Sequence, residues 1–255
     1  MPNNTPWKWA TISYIIALHL FVVVLIVKTV FIPKLTAKLG VAPTPHRVAA
    51  IPDSHILKMV QFHQWMDASV PDKATIFLGD SITQGLATAA VTPYSINYGI
   101  GGETTARLLD AMPMYKSLAR ASAIFMNIGI NDLNQGMKVG LNDRYRKIIK
   151  ALPPKTPLLW SAIMPAHHGN IVWSDIIDAN LTIKTLCAKR GNRVYVDTWK
   201  FLTDKDGQMI NRLFLDDGMH LRPEGYRAWI TALKQAIQDI PLADAQPVIP
   251  PGAAQ

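Results

Sequence analysis

The chain has 255 residues, of which 49% are hydrophobic and 17% charged. That balance excludes a disordered polyelectrolyte, which buries too little apolar surface to offset its lost chain entropy. At roughly 100 to 200 residues per domain the length suits one domain and an appendage. A net charge of +8 would suit nucleic acid, but residues 1–50 hold Lys8, Lys28, Lys34, Lys38 and Arg47 and no acid. The basicity therefore belongs to the N-terminal segment, which argues against a nucleic-acid partner. Cys187 is the single cysteine, so neither an internal disulfide nor a thiolate metal cluster can form.

From Trp9 to Val27 the chain runs nineteen residues without a formal charge, bracketed by Lys8 and Lys28. At 1.5 Å per residue this matches a bilayer core of about 30 Å. A cleaved signal peptide has a shorter apolar region, about 7 to 15 residues, and then a small-residue cleavage site. Here KTVFIPKLTAKLG follows, so residues 1–32 are expected to form an uncleaved single-pass membrane anchor in which His19 is a tolerated neutral imidazole. Residues 33–50, with Pro33, Pro43 and Pro45 and no sustained periodicity, read as a tether. The lysines after the run favour a cytoplasmic domain by the positive-inside tendency. The tether favours the outside, which is the side expected.

The domain itself is expected over 51–240. HILKMVQFHQWM (55–66) has helical spacing, with Asp53 or Ser54 available as cap. Short apolar runs rich in strand formers follow at 74–80, 95–100, 123–130, 157–164 and 193–199, and helical patterns lie at 104–118, 137–151, 174–190 and 223–238. This alternation predicts an α/β fold of right-handed crossovers and a parallel sheet covered on both faces. Residues 241–255, PLADAQPVIPPGAAQ, read as a disordered tail.

In an open parallel sheet the ligand site lies beyond the carboxyl ends of the strands, so the polar residues after each apolar run carry the chemistry. After the first run, Gly79-Asp80-Ser81-Ile82-Thr83-Gln84-Gly85 puts a hydroxyl on a strand-to-helix turn, where Ser81 is either a nucleophile or a helix cap. After the second comes Asn97-Tyr98-Gly99-Ile100-Gly101-Gly102-Glu103-Thr104-Thr105. Thr104 stands where a dinucleotide fingerprint needs glycine, and the lysine of a phosphate loop is missing. The glycines then serve either close backbone approach to a ligand or a plain turn. After the third, Asn131 of Gly129-Ile130-Asn131-Asp132 offers an amide to a developing oxyanion, or caps a helix. Ahead of the last helix lies Asp216-Asp217-Gly218-Met219-His220, in which a carboxylate three residues before a histidine can orient the imidazole as a base.

These four blocks, in this order over residues 71–238, resemble the SGNH hydrolases, the GDSL-type esterases and lipases. The resemblance implies a three-layer α/β/α sandwich with a five-stranded parallel sheet, the flavodoxin-like SGNH fold. It makes Ser81 the nucleophile, with its own N–H an oxyanion donor. Gly102 becomes the second backbone donor ahead of Gly99 and Gly101, Asn131 the side-chain donor, and Asp217 and His220 the other triad members, with Asp216 the alternative acid. Asp80 is left to shape the turn. The implied chemistry is acyl transfer through an acyl-enzyme with no metal and no cofactor. The substrates implied are lysophospholipid, another acyl ester or an acetylated carbohydrate. Two other readings share the fold: an acyltransferase that passes the acyl group to a glycan hydroxyl, and a non-catalytic binding module, disfavoured because every catalytic position is filled. His167 and His168 follow the fourth run and either touch substrate or sit in a solvated loop. Cys187 and Trp160, Trp173, Trp199 and Trp229 read as packing residues.

Overall fold

The computed structural model describes residues 6–26 and 53–240, and the chain divides into two units, Met1–Arg47 and Val48–Gln255. In the first unit, α1 spans Pro6–Ile26, 21 residues with no acid in its first turn. His19 Nδ1 donates to the Ile15 carbonyl at 2.7 Å, which satisfies the imidazole within its own helix. Among the described residues no helix is long and apolar enough to cross a membrane, so the expected transmembrane anchor is not established by the structure. The tether at 33–50 and the tail at 241–255 lie outside the described residues.

The second unit opens with α2 (Asp53–Asp67) and then places five strands, β1 (Thr75–Gly79), β2 (Ser95–Gly99), β3 (Ala123–Asn127), β4 (Leu158–Ser161) and β5 (Arg193–Val196). All pair in parallel in the order β2-β1-β3-β4-β5, a doubly wound arrangement whose order reverses between β1 and β3. Successive residues of each strand point to opposite faces, and here both faces are covered. Ile76, Leu78, Ile124, Met126, Leu158 and Trp160 enter one core. Phe77, Phe125, Leu159 and Val196 enter the other. Strands buried on both sides explain why the sequence shows continuous apolar runs in place of alternation.

The helices supply the outer layers. On the first core lie α4 (Thr105–Ala111), α6 (Leu141–Ala151) and α7 (Trp173–Cys187). In α6, Leu141, Tyr145 and Ile148 are buried, one stripe at i, i+4 and i+7 that turns Asp143, Arg146, Lys147 and Lys150 outward. On the second core lie α3 (Ser81–Gln84), α8 (Trp199–Leu202) and α9 (Pro223–Gln238). Pro223 begins α9, where its missing N–H costs nothing, and Trp229, Ala232, Leu233 and Ala236 face inward. Truncating a fully buried side chain such as Trp229 would cost about 3 to 5 kcal/mol.

Several expected boundaries shift, two of them for a reason local to the chain. The run 123–130 ends as a strand at Asn127, because Gly129 adopts φ +128° and α5 (Ile130–Asn134) starts immediately. The pattern 104–118 breaks after Ala111 into 3₁₀ turns at Met112–Met114 and Lys116–Arg120, since Pro113 lacks the N–H that an α-helix interior needs.

Candidate active site

Gly79 and Gly99 are register partners at the ends of β1 and β2, and Gly79 and Asn127 at the ends of β1 and β3. The loops carrying Ser81, Gly102 and Asn131 therefore leave the sheet side by side at its carboxyl edge. Ser81 begins the four-residue helix α3, and Asp80 caps that helix by accepting the Ile82 N–H at 3.0 Å. The cap is thus Asp80, and the Ser81 hydroxyl is left for other work. The turn is tight: a Cβ at Gly79 would lie 2.3 Å from the Asn127 carbonyl and 2.2 Å from Thr83 Oγ1.

Ser81 Oγ lies 2.8 Å from His220 Nε2, across 139 residues of sequence. His220 Nδ1 lies 2.6 Å from Asp217 Oδ2. Asp217 Oδ1 accepts the N–H groups of Met219 and His220 at 2.9 and 3.0 Å. Burial alone would raise the Asp217 carboxyl, but those two N–H groups and the imidazole outweigh it and hold it below its ordinary value. An ionised carboxylate only accepts, so Nδ1 carries the imidazole proton and Nε2 is free to accept from the Ser81 hydroxyl. Asp216, the alternative acid, points to solvent and pairs with Arg222 at 2.6 Å. The structure therefore joins Ser81, His220 and Asp217 and leaves Asp216 out.

Among the three glycines, the Gly101 N–H is donated to Gln84 Oε1 at 2.6 Å and the Gly99 N–H to Asn97 Oδ1 at 2.8 Å. Among the described residues no acceptor takes the Gly102 N–H, and Gly102 has φ +78°, a conformation that suits glycine. Asn131 is buried and spends one amide hydrogen on the Glu103 carbonyl at 2.9 Å, which fixes the amide plane and leaves the second hydrogen available.

Two buried acids next to these donors were given no role by the sequence. Asp132 accepts the Thr105 N–H at 2.9 Å and the Thr105 hydroxyl at 2.5 Å, and pairs with Arg144 at 3.2 Å. It thereby ties the start of α4 to the loop that carries Asn131. Glu103 Oε1 accepts the Thr104 N–H at 3.1 Å. Burial pushes the Glu103 carboxyl up to about 7, assisted by the charges of Asp80 and Asp132 and opposed by the Thr104 N–H and Arg107. Asp80 is also raised to about 7, first by complete burial and then by Asp132, against the Ile82 N–H. No sequence signal marks such burial, since charged residues are by default solvated.

Asp80 makes a stability prediction. Its folded value of about 7 stands above its ordinary 3.8, so the folded chain holds a proton that the unfolded chain releases. Stability is full below about pH 4 and falls as pH rises toward 7, by about 4 kcal/mol for this one group. Asp80→Asn keeps an acceptor for Ile82 and cannot ionise. The loss of unfolding free energy between pH 4 and pH 8 should be smaller in the variant by about 3 to 4 kcal/mol, as read by urea denaturation at both pH values. Equal losses in the two proteins would show that Asp80 does not hold that proton.

A doubly wound sheet with a hydrogen-bonded Ser, His and Asp at the carboxyl edge defines the class of serine acyl-transfer folds. Residues 77–228 match the GDSL-like lipase/acylhydrolase family model, and the chain belongs to that family, whose members hydrolyse esters or transfer acyl groups. A Streptococcus pneumonia protein provisionally described as a platelet activating factor is 23% identical over 71% of this chain and 92% of its own, with a TM-score of 0.64. An acetyl-xylooligosaccharide esterase from Geobacillus is 16% identical over 65% and 94%, TM-score 0.53. The C-terminal catalytic domain of a peptidoglycan O-acetyltransferase from Streptococcus pneumoniae is 15% identical over 66% and 93%, TM-score 0.52. At these identities the likeness shows the fold. No curated protein matches the chain.

Proposed function

We propose that this chain is a serine esterase that hydrolyses acyl esters through an acyl-enzyme on Ser81. The observation that carries this reading is the continuous hydrogen-bonded chain from Ser81 Oγ through His220 to Asp217, at 2.8 and 2.6 Å. His220 Nε2 takes the hydroxyl proton as Ser81 attacks the ester carbonyl, and Asp217 stabilises the imidazolium that forms. The N–H groups of Ser81 and Gly102 and the Asn131 amide receive the oxyanion. His220 then protonates the leaving alcohol, and water repeats the sequence on the acyl-enzyme. The substrates proposed are a lysophospholipid, another acyl ester or an acetylated carbohydrate. A fluorophosphonate probe tests the nucleophile: it should label the full-length protein at Ser81 alone, and p-nitrophenyl esters of increasing chain length then define the acyl group. Absence of labelling in folded protein would refute the reading.

Passing the acyl group to a glycan hydroxyl is the second reading, supported by the fold shared with a peptidoglycan O-acetyltransferase domain. Only the acceptor differs, so analysis of products with and without a glycan acceptor separates the two. The uncharged run from Trp9 to Val27 supports a further proposal, a single-pass anchor that holds the catalytic unit outside the cytoplasm. A carbonate wash should leave the chain in the membrane fraction, because apolar burial is not screened by salt. Release by the wash would remove the anchor while leaving the esterase reading intact.

For Asn131, replacement by Ala should lower kcat about 10²- to 10³-fold with little change in KM, because its donor acts on charge that develops in the transition state. A loss confined to KM would make Asn131 a substrate-binding residue.

A further inference from the structure

The loop after β4 meets the loop that carries Asp217, and the contact uses both histidines that follow Ala166. The His167 N–H donates to the Gly218 carbonyl at 2.9 Å. The His168 ring lies with Nδ1 2.8 Å from the Asp217 carbonyl. A carbonyl only accepts, so Nδ1 of His168 carries a proton. Two consecutive carbonyls, on either side of the Asp217–Gly218 linkage, are thus held by two consecutive residues of another loop. The approach is close: Gly218 has φ +70°, and a Cβ there would lie 2.4 Å from the His167 carbonyl.

The loop that makes this contact is itself anchored. Asn180 of α7 accepts the Ile163 N–H at 2.7 Å and donates to the Ile163 carbonyl at 2.9 Å. Trp199 Nε1 donates to the same carbonyl at 2.8 Å. The His167 ring stacks on Trp173 with centroids 4.7 Å apart, and Trp173 meets Trp199 edge-on at 5.0 Å. The Asp217 loop has fewer supports of its own. Its internal bonds join Leu215 to Gly218 and His220 and the Asp217 carboxylate to the Met219 and His220 N–H groups, and its flanking acid Asp216 is in solvent.

The geometry points to His168 as a positioning residue that clamps the Asp217 backbone so that its carboxylate faces His220 Nδ1. The inference rests on the proposed roles of Asp217 and His220. Without the ring, the Asp217 carbonyl loses its partner on the neighbouring loop. The Asp217–Gly218 peptide, held then by the His167 N–H on the Gly218 carbonyl and by the Asp217 carboxylate's own bonds, gains room to tilt and to shift the carboxylate. A catalytic group displaced by about 1 Å can cost on the order of 10²-fold.

His168→Leu and His168→Asn of the full-length protein test this, because the Asn amide places a donor near the position of Nδ1 whereas Leu has none. His168→Leu should lower kcat on p-nitrophenyl acetate about 10- to 100-fold with KM little changed, and His168→Asn should regain most of that loss. The acid limb of kcat/KM should move to lower pH in the Leu variant, since a misaligned carboxylate stabilises the His220 imidazolium less. The downfield proton resonance of His220 Nδ1–H should weaken or shift in Leu and persist in Asn. An unchanged resonance and acid limb in His168→Leu would overturn the proposal, as would equal losses in Leu and Asn that follow the melting temperature. The resonance reports the clamp without reference to turnover. A failure of the triad itself would instead show as wild-type turnover in Ser81→Ala, with the His168 effect on the resonance still present.

Discussion

Ser81→Ala is expected to lower ester turnover about 10⁵- to 10⁶-fold while leaving the fold intact. The size of the loss follows from the nature of the hydroxyl: it supplies the bond to the acyl group, and among the described residues no other nucleophile is hydrogen-bonded to His220 Nε2. Binding and the oxyanion donors would retain about 10³ to 10⁴ over water. The fold should tolerate the change because Asp80, and not Ser81, caps α3, and Ser81 is only half-buried. Turnover of p-nitrophenyl acetate by the variant, measured beside its thermal unfolding, checks both halves. Wild-type turnover in a protein that melts normally would remove Ser81 as the nucleophile.

The parts of this molecule that are written locally could be read from the sequence. Ser81, Gly102 and Asn131 were legible because their loops follow the first three apolar runs, and Asp217 and His220 because they stand three residues apart ahead of the last helix. The sequence did not separate buried strand from buried helix, and so AIFMNIGI looked like one strand although Gly129 turns it into α5. Asp217 stood ahead of Asp216 on paper by the resemblance and by its spacing of three residues from His220. What separates them is Arg222, which takes Asp216 into solvent, and the two N–H groups that Asp217 accepts. Least legible were contacts between distant loops. His168 meets Asp217 across 49 residues, and Asp132 meets Thr105 across 27, with no spacing rule to announce either.

Asp217→Asn isolates the orientation of the imidazole from the presence of a nucleophile. The Asn oxygen can still receive the Met219 and His220 N–H groups that Asp217 Oδ1 receives, so the loop should keep its shape. The amide nitrogen then faces His220 Nδ1 where a carboxylate oxygen stood at 2.6 Å. Two donors cannot share that contact, and the imidazole proton is driven to Nε2, the atom that must accept from Ser81. A fall in kcat of about 10⁴-fold is expected, with Ser81 still in place. Stability carries a second signature. The Asp217 carboxyl is held below its ordinary value, so its contribution is present above the unfolded value near pH 4 and is lost as pH falls through the folded one. The wild-type protein should therefore lose stability in this acid range, and Asp217→Asn, which has no proton to take up, should lose less. Asp216→Asn is the matched control, because that side chain pairs with Arg222 in solvent. If Asp216→Asn lost turnover and Asp217→Asn kept it, the acid of the triad would be Asp216, and the loop would have to turn over on binding substrate.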